Sequence, residues 1–422
     1  MQNNVKYRLS AMSFLQFFVW GAWLITIGNY CALTKGWSFS EFGAIFSTMG
    51  ISAIFMPTLI GLIADKFVNA ERLYSILHLG NAIAIGLIPQ VTEPGTFFFV
   101  ILAAMLCYMP TLALSNSIAY HILKNERIDV VSTFPTIRVW GTVGIIAAMW
   151  LTNLTGHKAT DGQFYISAIA GVFLAIYAWT LPKCPPNHKE DKAKNEKSDR
   201  FKLLKDAFSL FANYKMALFF LFTMLLGAAL QLTNMYGDNF LSSFESVPEY
   251  KDLFVVQRST IIMSISQVSE TLFILAIPFF LKRFGIKNVM LISMLAWVLR
   301  FGLLAYSNPA DGLWMIVLSC IVYGMAFDFF NVSGSLFVET TAAPKIRASA
   351  QGMFMMMSNG FGAIMGSFLS GIIIDKYFTT PTGLDWTGIW LTFAGYALFI
   401  AIAFAILFKH KHNPNELEGA SH

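Results

Sequence analysis

The sequence predicts an all-α polytopic membrane protein of twelve transmembrane helices in two six-helix halves, and three observations carry that expectation. Of its 422 residues, 56% are hydrophobic and only 13% charged, about half the charge of a soluble domain. Apolar runs of about 20 residues, the length that crosses a bilayer, recur along almost the whole chain. One long hydrophilic stretch, 182–214, divides those runs six and six.

The first run, 9–32, is too long for the hydrophobic region of a signal peptide and lacks a small-residue cleavage site, so it is expected to remain as span one. Spans two to six are expected at 42–64, 72–90, 96–119, 133–153 and 163–181, with short connections. Pro182-Lys-Cys-Pro-Pro186 then opens a run of Lys, Glu, Asp and Asn that reads as solvated. Spans seven to twelve follow at 215–240, 260–281, 287–306, 312–338, 350–377 and 387–408. The organisation expected is an N-terminal half at 1–181, a cytoplasmic linker at 182–214, a C-terminal half at 215–408 and a cytoplasmic tail at 409–422. In span eleven, Gly352, Gly360, Gly362, Gly366 and Gly371 would let helices approach closely, for static packing or for sliding.

Charge sets the orientation. The loops on one side, with both termini and the linker, hold twenty-two Lys and Arg; the other side holds five (Lys35, Lys158, Lys251, Arg258, Lys376). The positive-inside rule makes the first side cytoplasmic. Acids interleave the linker's positive charges, which argues against nucleic-acid binding. The four cysteines, Cys31, Cys107, Cys184 and Cys320, have no paired spacing, so neither a disulfide framework nor a metal site is expected. No His-Glu-x-x-His run and no nucleophile elbow occurs. Enzyme chemistry and a bound cofactor are therefore not expected.

Six plus six spans with a charged cytoplasmic linker resemble the major facilitator superfamily of transporters, whose two halves rock about a central cavity. Gly61-Leu-Ile-Ala-Asp65-Lys66 is similar to the start of that superfamily's loop signature, although Val68, Asn69 and Ala70 replace its later Gly and basic residues. The counterpart at Leu281-Lys-Arg-Phe-Gly285 is weaker. Taken singly, either could be an ordinary helix-capping turn.

Strongly polar groups stand at membrane depth in four spans. Span five has Arg138 and Thr142, span seven Gln231 and Asn234, span eight Gln267 and Glu270, and span ten Asp328 beside Phe327, with Asn331 a turn on. Each pair is three or four residues apart and so shares a helix face. An ionised carboxylate at the bilayer centre costs about 2.5–3.5 kcal/mol on insertion scales, and intramembrane acids mark transport pathways. The bland alternatives are amides that glue helices together and, for Glu270 and Asp328, a buried structural ion pair. Arg138, near its helix start, could snorkel. Arg300 reads as snorkelling or locally paired, Glu339 as interfacial and Asp238 as lying at the surface. Amides, acids, a guanidinium and the aromatic rings of Tyr323 and Phe327 together suit a neutral ligand with many hydroxyls and a flat ring.

Several segments carry a closer likeness: Phe14-Leu-Gln-Phe-Phe-Val-Trp-Gly-Ala-Trp23, Met109-Pro-Thr-Leu-Ala-Leu-Ser-Asn116, Phe134-Pro-Thr-Ile-Arg-Val-Trp-Gly-Thr142, Ser264-Ile-Ser-Gln-Val-Ser-Glu270, Phe327-Asp-Phe-Phe-Asn331 and Arg347-Ala-Ser-Ala-Gln-Gly352. They resemble the bacterial nucleoside:H⁺ symporter family over nearly the whole chain. The resemblance implies proton-coupled uptake of purine and pyrimidine nucleosides, such as uridine or adenosine, across a lipid inner membrane, by a chain expected to be monomeric. It implies nucleoside contacts at Arg138, Thr142, Gln231, Asn234, Gln267, Glu270, Tyr323 and Phe327, and proton coupling at Asp328, with Glu270 a second candidate. The family's broad-specificity permease has an aromatic residue three positions after the threonine, where this chain has Ile145. A base contact there would become aliphatic. The alternatives are the same fold moving a sugar or another polar solute, and a receptor that senses nucleosides without transporting them.

Overall fold

The computed structural model describes residues 2–186, 210–343, 346–381 and 383–410. Most of the expected linker, the 409–422 tail beyond residue 410, and the Asp65 side chain lie outside the described residues. The architecture is all-α, with one two-residue pairing of Thr379–Thr380 against Gly383–Leu384. The principal helices are α1 Gln2–Gly21, α2 Phe39–Lys66, α3 Ala70–Leu87, α4 Pro94–Asn125, α5 Val130–Leu154 and α6 Gly162–Ala178. They continue as α7 Tyr214–Ser243, α8 Ile265–Tyr306, α9 Leu313–Thr341, α10 Arg347–Met355, α11 Ala363–Tyr377 and α12 Trp386–Leu407.

Among the described residues, nine helices are long and apolar enough to cross a membrane. Their outer faces agree with that: Phe99 (67%), Leu275 (76%) and Phe399 (69%) are exposed to the surroundings. A water-soluble protein does not leave large apolar faces open in this way.

Where helices differ from the expected spans, the causes are local. The run at 9–32 does not continue as one helix. It leaves α1 at Gly21, passes through turns to the short Ile27–Asn29 helix, and widens into a π-turn at Tyr30–Thr34. Thr26 explains the interruption: its hydroxyl bonds Gln163 Oε1 at 2.8 Å and the Trp23 carbonyl at 3.3 Å, a local alternative to the helical ladder. The expected spans 260–281 and 287–306 run together as α8, broken only at Gly285, whose φ of 76° and ψ of 167° are non-helical. That left-handed φ is one that glycine adopts without a Cβ clash. In the eleventh span, α10 and α11 are joined through a π-helical Met356–Gly362. Gly362 and Gly366 there lie against α7, where a Cβ would collide with the Met224 carbonyl and come within 2.6 Å of Ala228 Cα, whereas Gly352 faces open space.

The chain divides into two compact units. One takes in α1 to α6 with the segments Asn234–Ser264 and Ser367–Asp375; the other contains Ile265–Gly366, the first part of α7, and α12. In the first unit α1 packs on α5 and α6, α2 on α4, and α3 on α4 and α6. Its buried polar centre is Gln16, whose Nε2 donates to Thr111 Oγ1 at 2.9 Å while Oε1 accepts from the Tyr74 hydroxyl at 2.5 Å and lies 2.9 Å from His78 Nε2. One amide thus ties α1 to α3 and α4, as polar groups do between membrane helices. In the second unit α8 packs along α9 and α12, around stacked rings such as Phe219 and Phe354, 5.6 Å apart.

The start of α2 is capped twice. Ser38 and Glu41 form a capping box, and the Phe39 and Ser40 amides donate to the Asp375 carboxylate at 3.0 and 2.7 Å. A carboxylate at a helix N-terminus meets both unpaired donors and the positive end of the dipole. Ser38→Ala removes the acceptor for the Glu41 amide. We expect it to cost about 1 kcal/mol, read as a lower unfolding midpoint by scanning fluorimetry with transport unchanged.

Candidate functional site

In the first unit, Asp129 starts α5 by accepting from the Ser132 amide at 2.9 Å, and the helix presents Arg138 and Thr142 one turn apart. Arg138 is exposed, with its guanidinium over the Phe17 ring at 4.1 Å. A cation over an aromatic face in a partly dry setting is worth about 1 kcal/mol. Thr142 is half-buried. Ile145, one turn on, is only 7% exposed and lies against Gly21 of α1. Asn234, half-buried on α7, also belongs to this unit.

The second unit holds Gln231, Gln267, Glu270, Tyr323, Phe327 and Asp328. Gln231 is buried on α7; Gln267 and Glu270 are half-buried, one turn apart on α8. On α9, Tyr323 and Asp328 are buried and Phe327 is half-buried. The rings of Tyr323 and Phe327 stack nearly parallel, with centroids 6.0 Å apart and planes at 10°.

α8 and α9 approach closely between the two acids. A Cβ on Gly324 would come within 2.6 Å of the Ser269 backbone, so glycine alone allows this approach. The Ser269 hydroxyl also donates to the Ile321 carbonyl. Glu270, the residue after Ser269, is thereby held within electrostatic reach of both Tyr323 and Asp328. Asp328 Oδ2 is fully buried and accepts no hydrogen bond among the described residues. An unpartnered carboxylate oxygen away from water is costly as an anion.

Two residues depart from the sequence expectation. Asp238, expected at the surface, is fully buried. It accepts from Asn29 Nδ2 at 2.5 Å and Thr260 Oγ1 at 3.0 Å. Asn29 also donates to Ser242, which receives Lys158 Nζ at 3.2 Å, and Lys158 pairs with Glu245 at 2.5 Å. The node fastens the end of α7 to the Ile27–Asn29 and Ser259–Met263 helices; its partners are scattered from Asn29 to Thr260, so spacing could not reveal it. Arg300, expected to snorkel or pair locally, is also fully buried. It stands six residues before the end of its expected span at 306, so its position alone did not separate burial from snorkelling. Glu339, by contrast, is half-buried near the end of α9 and pairs with Arg347 at 3.2 Å.

The family model described as nucleoside H⁺ symporter matches residues 3–413 of the chain. The chain is 50% identical to the nucleoside permease NupG of Escherichia coli over 413 residues, 97% of each protein. It is equally 50% identical to the xanthosine permease of E. coli over 416 residues, 98% of each. It is also similar to the crystal structure of the nucleoside transporter NupG, with TM-score 0.89 and 50% identity over 97% of this chain and all of that one.

Proposed function

The chain belongs to the nucleoside H⁺ symporter family, and on that premise we propose that it imports purine and pyrimidine nucleosides by coupling them to inward proton flow through alternating access. The observation that carries the reading is the close approach of Ser269 and Gly324, which brings Glu270 within electrostatic reach of Asp328 on the helix that carries the Tyr323–Phe327 stack. Acids supply the proton site; flat rings supply a face for a base.

Our reading of the architecture is twelve spans in two halves joined by a cytoplasmic linker, in the bacterial inner membrane, with both termini cytoplasmic and the chain acting as a monomer. Twelve is supported by the nine long apolar helices together with α1, interrupted at Gly21, the shorter α6, and the division of α8 at Gly285. We assign nucleoside contacts to Arg138, Thr142, Gln231, Asn234, Gln267, Glu270, Tyr323 and Phe327. Asp328 is assigned as the coupling acid, with Glu270 as its partner in proton exchange. Protonation from the outside neutralises Asp328, removes its desolvation penalty, and lets the loaded protein reorient. Release of nucleoside and proton inside follows, each having favoured the other's binding.

Two measurements test this. Labelled uridine uptake, competed with a panel of nucleosides including xanthosine and with sugars, and repeated with a protonophore, separates nucleoside symport from sugar transport; competition by sugars alone overturns the substrate assignment. Gln267→Ala removes an amide able to donate and accept. We expect its half-saturating uridine concentration to rise about tenfold, a typical 1.4 kcal/mol for a directed polar contact. An unchanged value removes Gln267 from the contact set.

A further inference from the structure

Arg300 is the charged group that the transport reading leaves unused, and it is completely buried. Among the described residues no carboxylate pairs with it. A lone cation inside a protein is expensive, so its placement calls for something that it holds. Its bonds converge from three helices. Nε donates to Thr233 Oγ1 on α7 at 3.2 Å, and Nη1 donates to the Ser319 carbonyl on α9 at 2.6 Å and lies 3.5 Å from Ser266 Oγ on α8. The guanidinium also covers the Tyr323 ring at 4.7 Å, while Trp297, one turn before Arg300, meets the same ring edge-on at 5.9 Å.

Each partner neighbours an assigned contact. Thr233 lies between Gln231 and Asn234, Ser266 precedes Gln267, and Tyr323 is itself assigned. We propose that Arg300 is a positioning residue of the nucleoside site, a buried fork that fixes the Gln231, Gln267 and Tyr323 segments relative to one another without touching the ligand. The proposal rests on the nucleoside reading above. A planar guanidinium is suited to this because its donors diverge in fixed directions while its face stacks on an aromatic ring. Lysine keeps the charge but offers neither the fork nor the flat face.

The test is uridine binding to the purified full-length protein by calorimetry, with a two-by-two set of variants. Arg300→Lys is expected to weaken binding about tenfold in the otherwise native protein. In a Tyr323→Ala background, with the ring already absent, the same change is expected to weaken it by less than about twofold, because coupled residues are non-additive. Equal losses in both backgrounds, or no loss in either, overturn the proposal, since a general destabilisation would act regardless of Tyr323. Should Arg300→Lys not fold, Thr233→Val removes one acceptor at nearly constant shape. It is expected to weaken binding about threefold with an unchanged unfolding midpoint, and native affinity in that variant overturns the proposal. If the native protein itself does not bind uridine, the nucleoside reading fails first, before any variant is compared.

Discussion

Asp328→Asn is expected to abolish concentrative uptake while leaving nucleoside exchange in place. In proteoliposomes, each unit of imposed pH gradient is worth about 1.4 kcal/mol per proton. With one proton moved per nucleoside, that supports an inside-to-outside ratio of about ten. Asparagine keeps the shape of Asp328 but can neither lose nor gain the proton. The ratio should therefore fall to about one, while counterflow of labelled uridine into preloaded vesicles stays within about threefold of native. The structural warrant is the buried Oδ2, without a hydrogen-bond partner among the described residues, with Glu270 within electrostatic reach. Gradient-driven accumulation at the native level would remove Asp328 from coupling and move attention to Glu270→Gln in the same assay.

The second large effect is steric. Gly324→Ala puts a methyl group about where Ser269 carbonyl atoms already stand, 2.6 Å away. Those atoms are backbone and cannot rotate aside, so α8 and α9 must part locally. Overpacking of this kind costs about 1–3 kcal/mol, and the separation falls between Glu270 and Tyr323, where the acids and the rings meet. We expect uridine uptake to drop at least about tenfold. Gly302 on the same α8 supplies the control, because a Cβ there meets nothing within 4 Å. Gly302→Ala should transport within about twofold of native. Equal activity of the two variants would show that the close approach at Gly324 does not matter for the site.

The membrane class, the helical architecture and the family were all legible in the chain alone. Hydrophobic runs of bilayer length encode a helix locally, because a lipid-exposed backbone has no other way to satisfy its hydrogen bonds. Gly285 likewise breaks α8 through its own backbone freedom, visible as a glycine following Lys282 and Arg283. The pairs Gln267–Glu270 and Gln231–Asn234 were readable because helical periodicity puts such neighbours on one face.

Depth and company were not readable. Asp238 lies near the end of an apolar run, as a surface residue would, and only the meeting of Asn29, Ser242 and Thr260 around it makes it a buried node. Arg300 looked like a snorkelling cation because linear spacing says nothing of Thr233, 67 residues earlier, or of the Tyr323 ring beneath its guanidinium. What the sequence by itself determined is which segments are helices and which side chains share a face, since both follow from local backbone chemistry and a 3.6-residue period. Which acids come within electrostatic reach of each other, and which cation is fully buried, only the tertiary structure decided. Those depend on contacts such as Ser269 against Gly324, where two residues far apart in sequence touch because one of them lacks a side chain.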